Sequence, residues 1–264
     1  MSDGQPGRLA WGSALPRRDR AAILSALAGV TAIAWVYLVV RTAGMGDIGA
    51  GGPMSLVQIR PWTALDFLLM FLMWGIMMVG MMVPTAAPMT LLYAGMARKA
   101  AGQSTPLAPV AVFVSGYVVM WSLFSIGATL AQWGLESAAL LSPMMVTTSP
   151  KLGAGLLIAA GLYQLTPVKE ACLEHCRSPA HFIARHWRSG PGGAFRLGLR
   201  HGAYCLGCCW VLMLLLFVGG VMNLLWIAGL AVFVLLEKVL PLGALGGKLA
   251  GGFLILAGLL LLAS

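Results

Sequence analysis

Along this chain, long apolar stretches alternate with short polar or Pro/Gly-rich breaks. The first runs from Ala21 to Val40, 20 residues without a charge between Arg20 and Arg41. A helix rises about 1.5 Å per residue, so about 20 apolar residues cross a hydrocarbon core of about 30 Å. The pattern predicts seven spans, at 21–40, 63–83, 107–131, 151–166, 202–221, 224–240 and 246–263. The fourth and sixth lie near the lower limit of length, which leaves six as the alternative. Pro84 and Pro88 are expected to end or kink the second helix, with residues 85–97 running on as a shorter one. The fold class that follows is all-α, a polytopic transmembrane helical bundle.

Composition agrees with the pattern. The chain is 59% hydrophobic and 9% charged, where a soluble globule carries about 25% charged residues. Its 34 glycines suit helices packed closely through small residues. The first apolar stretch exceeds the ~7–15-residue apolar region of a signal peptide and ends in "VVRTAG" without an A-x-A site, so it is expected to be retained.

The net charge of +9 points to lipid headgroups rather than nucleic acid, because it is spread over loops with no polybasic run. With the N-terminus inside, 14 of the 17 Lys and Arg residues fall in inner segments. Only Arg41, Arg60 and Lys151 fall outside, a strong positive-inside bias. The expectation is a multi-pass protein of the bacterial inner (cytoplasmic) membrane with a cytoplasmic N-terminus. Residues 1–20 form a basic tail, and residues 21–264 form a single membrane domain with a cytoplasmic loop at 167–200. In that loop "HFIARHW" mixes Phe182, Ile183 and Trp187 with Arg185 and Arg188, as an interfacial helix would.

The chemistry sits in and just after the same loop. All five cysteines and all four histidines lie between positions 172 and 209. At 100° per residue, His201, Cys205 and Cys208 share an arc of about 60°, with Cys209 on its flank. Cys172 and Cys176 are spaced i, i+4, with His175 on the neighbouring edge. Two such helical pieces facing one another would offer four or more thiolate and imidazole donors, enough for a tetrahedral or trigonal metal site. Cysteine also packs as a small hydrophobe, but clustering with histidine at helical spacing favours metal binding. A disulfide framework does not suit the cytosolic side. "CLEHC" has its histidine in the wrong order for haem attachment, and "CLGC" leaves thiol redox chemistry open. His181 and His186 read as interfacial.

The stretches "GLYQLTPVKEACLEHCRSP", "GLRHGAYCLGCCWVLMLLLFVGGVMNLLW", "VLLEKVLP" and "WGIMMVGMMVPTAAPMTLLYA" resemble a bacterial family of predicted metal-binding integral membrane proteins, a domain of unknown function. The resemblance covers about residues 63–241. It implies an inner-membrane protein with Cys172, Cys176, His201, Cys205, Cys208 and Cys209 in its signature.

The stretch "DFLLMFLMWGIMMVGMMVPTAAPM", the second span with the residues just after it, holds seven of the chain's 16 methionines. On a helical wheel Asp66, Met70, Met73, Met77 and Met81 share a face about 80° wide, with Met78 and Met82 to one side. Methionine fills irregular gaps between helices, and Asp66 can cap its helix. The ligand reading is that thioethers bind Cu(I) without losing a proton and survive an oxidising compartment. Met45, Met54, Met144 and Met145 lie in the inferred outer loops, whereas cysteines appear only toward the inside. That division suits a path from weak thioether sites to a tighter thiolate site. Glu237 and Lys238 are expected to neutralise each other, or Glu237 to orient His201. Asn223, Tyr163 and Gln164 are further polar residues in or near spans.

Three functions compete. The leading one is a non-enzymatic protein that binds Cu(I), with Zn as the alternative metal, and moves it across the bilayer or delivers it to a metallochaperone or metalloenzyme. The others are a membrane thiol redox protein using Cys205 and Cys208, and an assembly factor stabilised by zinc. No P-loop, hydrolase triad or H-E-x-x-H is present.

Overall fold

A computed structural model describes residues 15–49, 62–102, 104–142, 145–240 and 243–263. Met54 and Met144 lie outside them, as does the Met45 side chain. Helices in chain order are α1 (Arg17–Gly49), α2 (Ala64–Ala100), α3 (Leu107–Ser137), α4 (Pro150–Gln164), α5 (Pro167–Arg177), α6 (Pro179–His186), α7 (Pro191–Leu214), α8 (Leu216–Gly219), α9 (Leu224–Val239) and α10 (Gly243–Ala263). Among the described residues there is no strand, only an isolated bridge between Leu141 and Thr147. The all-α expectation therefore holds.

Helix starts follow local chemistry. Proline at the first position needs no N–H and is already set for helical φ; Pro150, Pro167, Pro179 and Pro191 open α4, α5, α6 and α7. Ser149 and Thr166 accept from Leu152 N and Lys169 N, and Asn223 from Trp226 N, filling orphan donors at each helix start. Asn223 is thus a cap.

Among the described residues, five stretches are long and apolar enough to cross a membrane: Arg17–Ala43, Ala64–Ala100, Leu107–Ser137, Pro191–Gly219 and Leu245–Ala263. The expected fourth and sixth spans correspond to α4 and α9, of 15 and 16 residues. At about 1.5 Å per residue each covers about 23 Å, less than a full hydrocarbon core.

Pro84 and Pro88 do not divide the second span, contrary to expectation: α2 runs unbroken through both. Proline at 84 has no N–H for the carbonyl of Gly80, four residues back. The indole Nε1 of Trp35 on α1 donates to that oxygen at 3.3 Å. A neighbouring helix thereby satisfies the group the proline frees.

Helix α3 packs along α7, and α4 along α10. The α3–α7 seam is made of glycines: a Cβ at Gly198 would run into the Phe113 carbonyl, and one at Gly116 into that of Phe195. The backbones therefore approach more closely than larger residues permit. Two buried clusters result. The larger holds Met73, Met77, Met78, Met81 and Met82 of α2 with Cys205, Cys208 and Cys209; the smaller surrounds Phe113, Tyr93, Phe182 and Ile183. Phe182 and Ile183 are fully covered by protein, so α6 packs its apolar face inward rather than into a lipid interface. Large apolar side chains do face outward on α1, α3 and α10, including Ile33, Val40, Leu123, Leu249, Phe253 and Leu260.

Candidate metal centre

Helix α5 docks against α7 and brings two sulfurs with it. Cys172 and Cys176 pack against the buried cluster that holds Cys205, Cys208 and Cys209; the neighbouring Cys208 and then burial push the Cys176 thiol well above its ordinary range. Cys172 lies over Gly207, where a Cβ would come within 2.8 Å of its Sγ. Burial, then the proximity of Cys208, raises the Cys172 thiol as well. The Tyr163 hydroxyl donates to the Gly207 carbonyl, tying α4 to the same turn. Sulfurs from both sequence clusters thus converge, and all five cysteines are free thiols.

Cys205, Cys208 and Cys209 are buried on α7. The thiols of Cys208 and Cys209 both donate to the Cys205 carbonyl, at 3.1 and 3.0 Å. Cys205 Sγ meets the Lys238 ammonium at 2.9 Å and the Tyr117 hydroxyl at 3.0 Å. Lys238 also donates to Thr85 Oγ1 at 3.1 Å, and the Tyr117 hydroxyl donates to the Met82 carbonyl at 3.0 Å. A polar strand of contacts therefore joins α9, α7, α3 and α2 inside an apolar core.

The expected self-neutralisation of Glu237 and Lys238 does not occur. Successive helical residues diverge by about 100°. Glu237 pairs with Lys169 of α5 at 2.6 Å and accepts from Gln164 at 3.4 Å; neither contact involves His201. Among the described residues no carboxylate pairs with Lys238, and its ammonium donates to the Cys205 sulfur instead.

His201 is 4% exposed and stacks on Tyr117 and Phe113, with ring centroids 5.5 and 6.1 Å away. Its Nδ1 has no hydrogen-bond partner among the described residues. A buried orphan nitrogen beside a sulfur cluster is a donor open to a cation. His175 is placed differently. It stacks on Tyr204 at 4.2 Å and engages its own helix at the Ala171 carbonyl. The ring nitrogen of His186 likewise meets the Phe182 carbonyl.

On α2, Met73, Met77 and Met81 are buried, as are Met78 and Met82. Met70 is half-buried. Met213 and Met222, which the helical-face argument overlooked, join the same cluster as the cysteines. Asp66 acts as a cap: its Oδ2 accepts from the Thr63 N–H and hydroxyl, both at 2.7 Å, and Thr63 accepts from Asp66 N.

Among the described residues no set of three or more His, Cys, Asp or Glu side chains is arranged to hold one ion. The donors expected from the sequence lie on the facing helices α5 and α7, and the Lys238 ammonium stands against Cys205. A pair of thiols with a neighbouring orphan imidazole fits a soft ion of low coordination number better than a four-coordinate one. Of the residues around this cluster, Tyr117 and Thr85 escaped the sequence reading because nothing in their own segments marks them. Lys238 carried a signal, as a basic residue within an apolar stretch.

Membrane-length helices enclosing a buried cluster of free thiols and methionines define a helical protein rich in thiophilic side chains. The chain belongs to the PpoB2 family of copper chaperones, whose family model matches residues 71–261. The match covers α2 from Phe71 onward and both cysteine-bearing helices. No curated protein and no solved structure matches the chain.

Proposed function

We propose that the chain is a multi-pass copper chaperone of the bacterial inner membrane that holds Cu(I) between α5 and α7 and passes it to a partner. The observation that carries this reading is the docking of Cys172 and Cys176 of α5 against the buried cluster of Cys205, Cys208 and Cys209 on α7, which gathers sulfurs from separate helices inside a copper-chaperone sequence. Thiolate sulfur selects Cu(I). Cu(I) held by Cys176 and Cys208 would displace one proton from each thiol, with Cys205 and the free Nδ1 of His201 as further donors. Two thiolates and one Cu(I) carry a net negative charge, which Lys238 offsets in a low-dielectric interior. The buried thioethers of Met73, Met77 and Met81, with Met70 at the far end, supply weaker stations along α2. Seven spans, with loop 167–200 cytoplasmic, put the cysteines on the reducing side.

The dithiol-enzyme reading is less well supported. Cys205 and Cys208 are 1% and 2% exposed, leaving no approach for a substrate disulfide. The test is Cu(I) retention by reduced, detergent-purified protein against a Cu(I)-selective chelator. The wild type is expected to keep stoichiometric copper and a Cys176→Ser, Cys208→Ser variant to lose it. Equal retention by both proteins would remove the site.

A further inference from the structure

At the end of α2 remote from the cysteines, Gln132 of α3 is fully buried. Its Oε1 accepts from Trp74 Nε1 at 2.8 Å. An indole nitrogen only donates, so this bond fixes which end of the amide is oxygen. The amide nitrogen therefore faces the other way, where three acceptors surround it: Glu136 Oε1 at 2.8 Å, Met145 Sδ at 3.4 Å and Met70 Sδ at 3.5 Å. The second Glu136 oxygen accepts from Trp62 Nε1 at 3.0 Å. Two thioethers and a carboxylate thus converge on one electropositive group.

The backbone supports deliberate placement of Met145. It has a φ of 54°, in the left-handed region disfavoured for residues bearing a Cβ. Hydrogen bonds from Met145 N to the Ser142 carbonyl (2.8 Å) and from Val221 N to the Met145 carbonyl (3.4 Å) hold it there. Strain of this kind gathers at ligand clamps. Glu136, Met70 and Met145 are each only half-buried, so the triad is open to an ion from outside.

We propose that Met70, Met145 and Glu136 form a second site for a soft monovalent cation, an uptake site from which the methionine face of α2 leads toward the cysteines. The donor chemistry selects the ion. Thioethers need no deprotonation and favour Cu(I) over hard cations, and the single carboxylate balances one positive charge. The ion displaces the Gln132 amide nitrogen from the three acceptors, the side chain swinging aside from its place against Trp74, while Trp62 keeps the carboxylate in position. From Met70 to Met81, α2 spans about 16 Å, with Met73 and Met77 between. The uptake role rests on the copper-handling reading above, whereas the site itself stands on its own donors.

The probe is Ag(I), a redox-inert stand-in for Cu(I), titrated into the reduced full-length protein in detergent. Bound metal is followed by elemental analysis and by the fluorescence of Trp62 and Trp74. Wild type should bind one ion more per chain than a Met70→Leu, Met145→Leu variant, which keeps its cysteine-bound ion. A variant with all five cysteines replaced by serine should retain one weakly held ion, bound at least tenfold less tightly once the two methionines are also changed. Equal stoichiometry for wild type and the double-methionine variant overturns the site and leaves the cysteine reading intact. A wild-type chain that takes up no ion overturns both. Should the cysteine-free variant not fold, the comparison in the otherwise wild-type chain decides alone.

Discussion

Glu237 and Lys238 are adjacent, opposite in charge and almost equally buried, yet each spends its charge elsewhere. Lys238 reaches the Cys205 sulfur and Thr85, while Glu237 turns to Lys169. The consequence at this scale is a prediction for Lys238. Outer partners of metal ligands typically affect affinity by about 10–100-fold. Lys238→Met should weaken Cu(I) retention by about that factor with all five cysteines present, and Lys238→Arg should restore part of it because the charge is kept. Chelator competition measures both. By type and spacing the sequence singles out Cys176 and Cys208 as candidate ligands, and both come to the same buried cluster. Asp66 was ambiguous, because a carboxylate at a helix start serves a capping box or a metal equally well in one dimension.

Helices are the scale at which local rules worked best and then failed once. Apolar length located α1, α2, α3 and α7, and Ser-Pro or Thr-Pro pairs mark the starts of α4, α5 and α6. Proline rules broke down at Pro84, since the rule counts only hydrogen bonds within one helix. Trp35 supplies the missing donor from α1, 45 positions away in the chain. Trp35→Phe should therefore cost about 0.6–1.7 kcal/mol, the range for hydrogen bonds between membrane helices. In a Pro84→Ala background the cost should shrink, because residue 84 then offers its own N–H to Gly80. A double-mutant cycle on unfolding in mixed detergent tests the coupling, and additive costs would contradict it. The short α6 shows a related limit. Its amphipathic face is apparent in "HFIARHW", but amphipathicity does not say whether lipid or protein covers that face.

For the whole molecule, the decisive element is the tie that holds α5 on the bundle. Lys169 and Glu237 form a buried pair, and Arg177 Nε donates to the Glu237 carbonyl at 2.9 Å. Removing one partner of a buried ion pair costs about 3–5 kcal/mol, because the other charge is left uncompensated. Glu237→Gln should lose about that much stability on unfolding in detergent. It should also weaken Cu(I) binding, although no contact of Glu237 reaches a sulfur, because α5 carries Cys176 to Cys208. Undiminished copper affinity in a destabilised variant would show that α5 docks independently of the pair.

Sequence alone determined the all-α class, the membrane-length helices, the residues capable of binding a thiophilic ion and their grouping into two pieces. These are local properties: apolar run length and helical spacing are set by residues within a turn or two of one another. Tertiary structure decided that the cysteines of α5 pack against those of α7, that Lys238 stands at Cys205, and that Gln132 gathers two thioethers and a carboxylate. Those outcomes depend on which helix faces which, and that choice is made by close glycine contacts and buried hydrogen bonds between segments far apart in the chain.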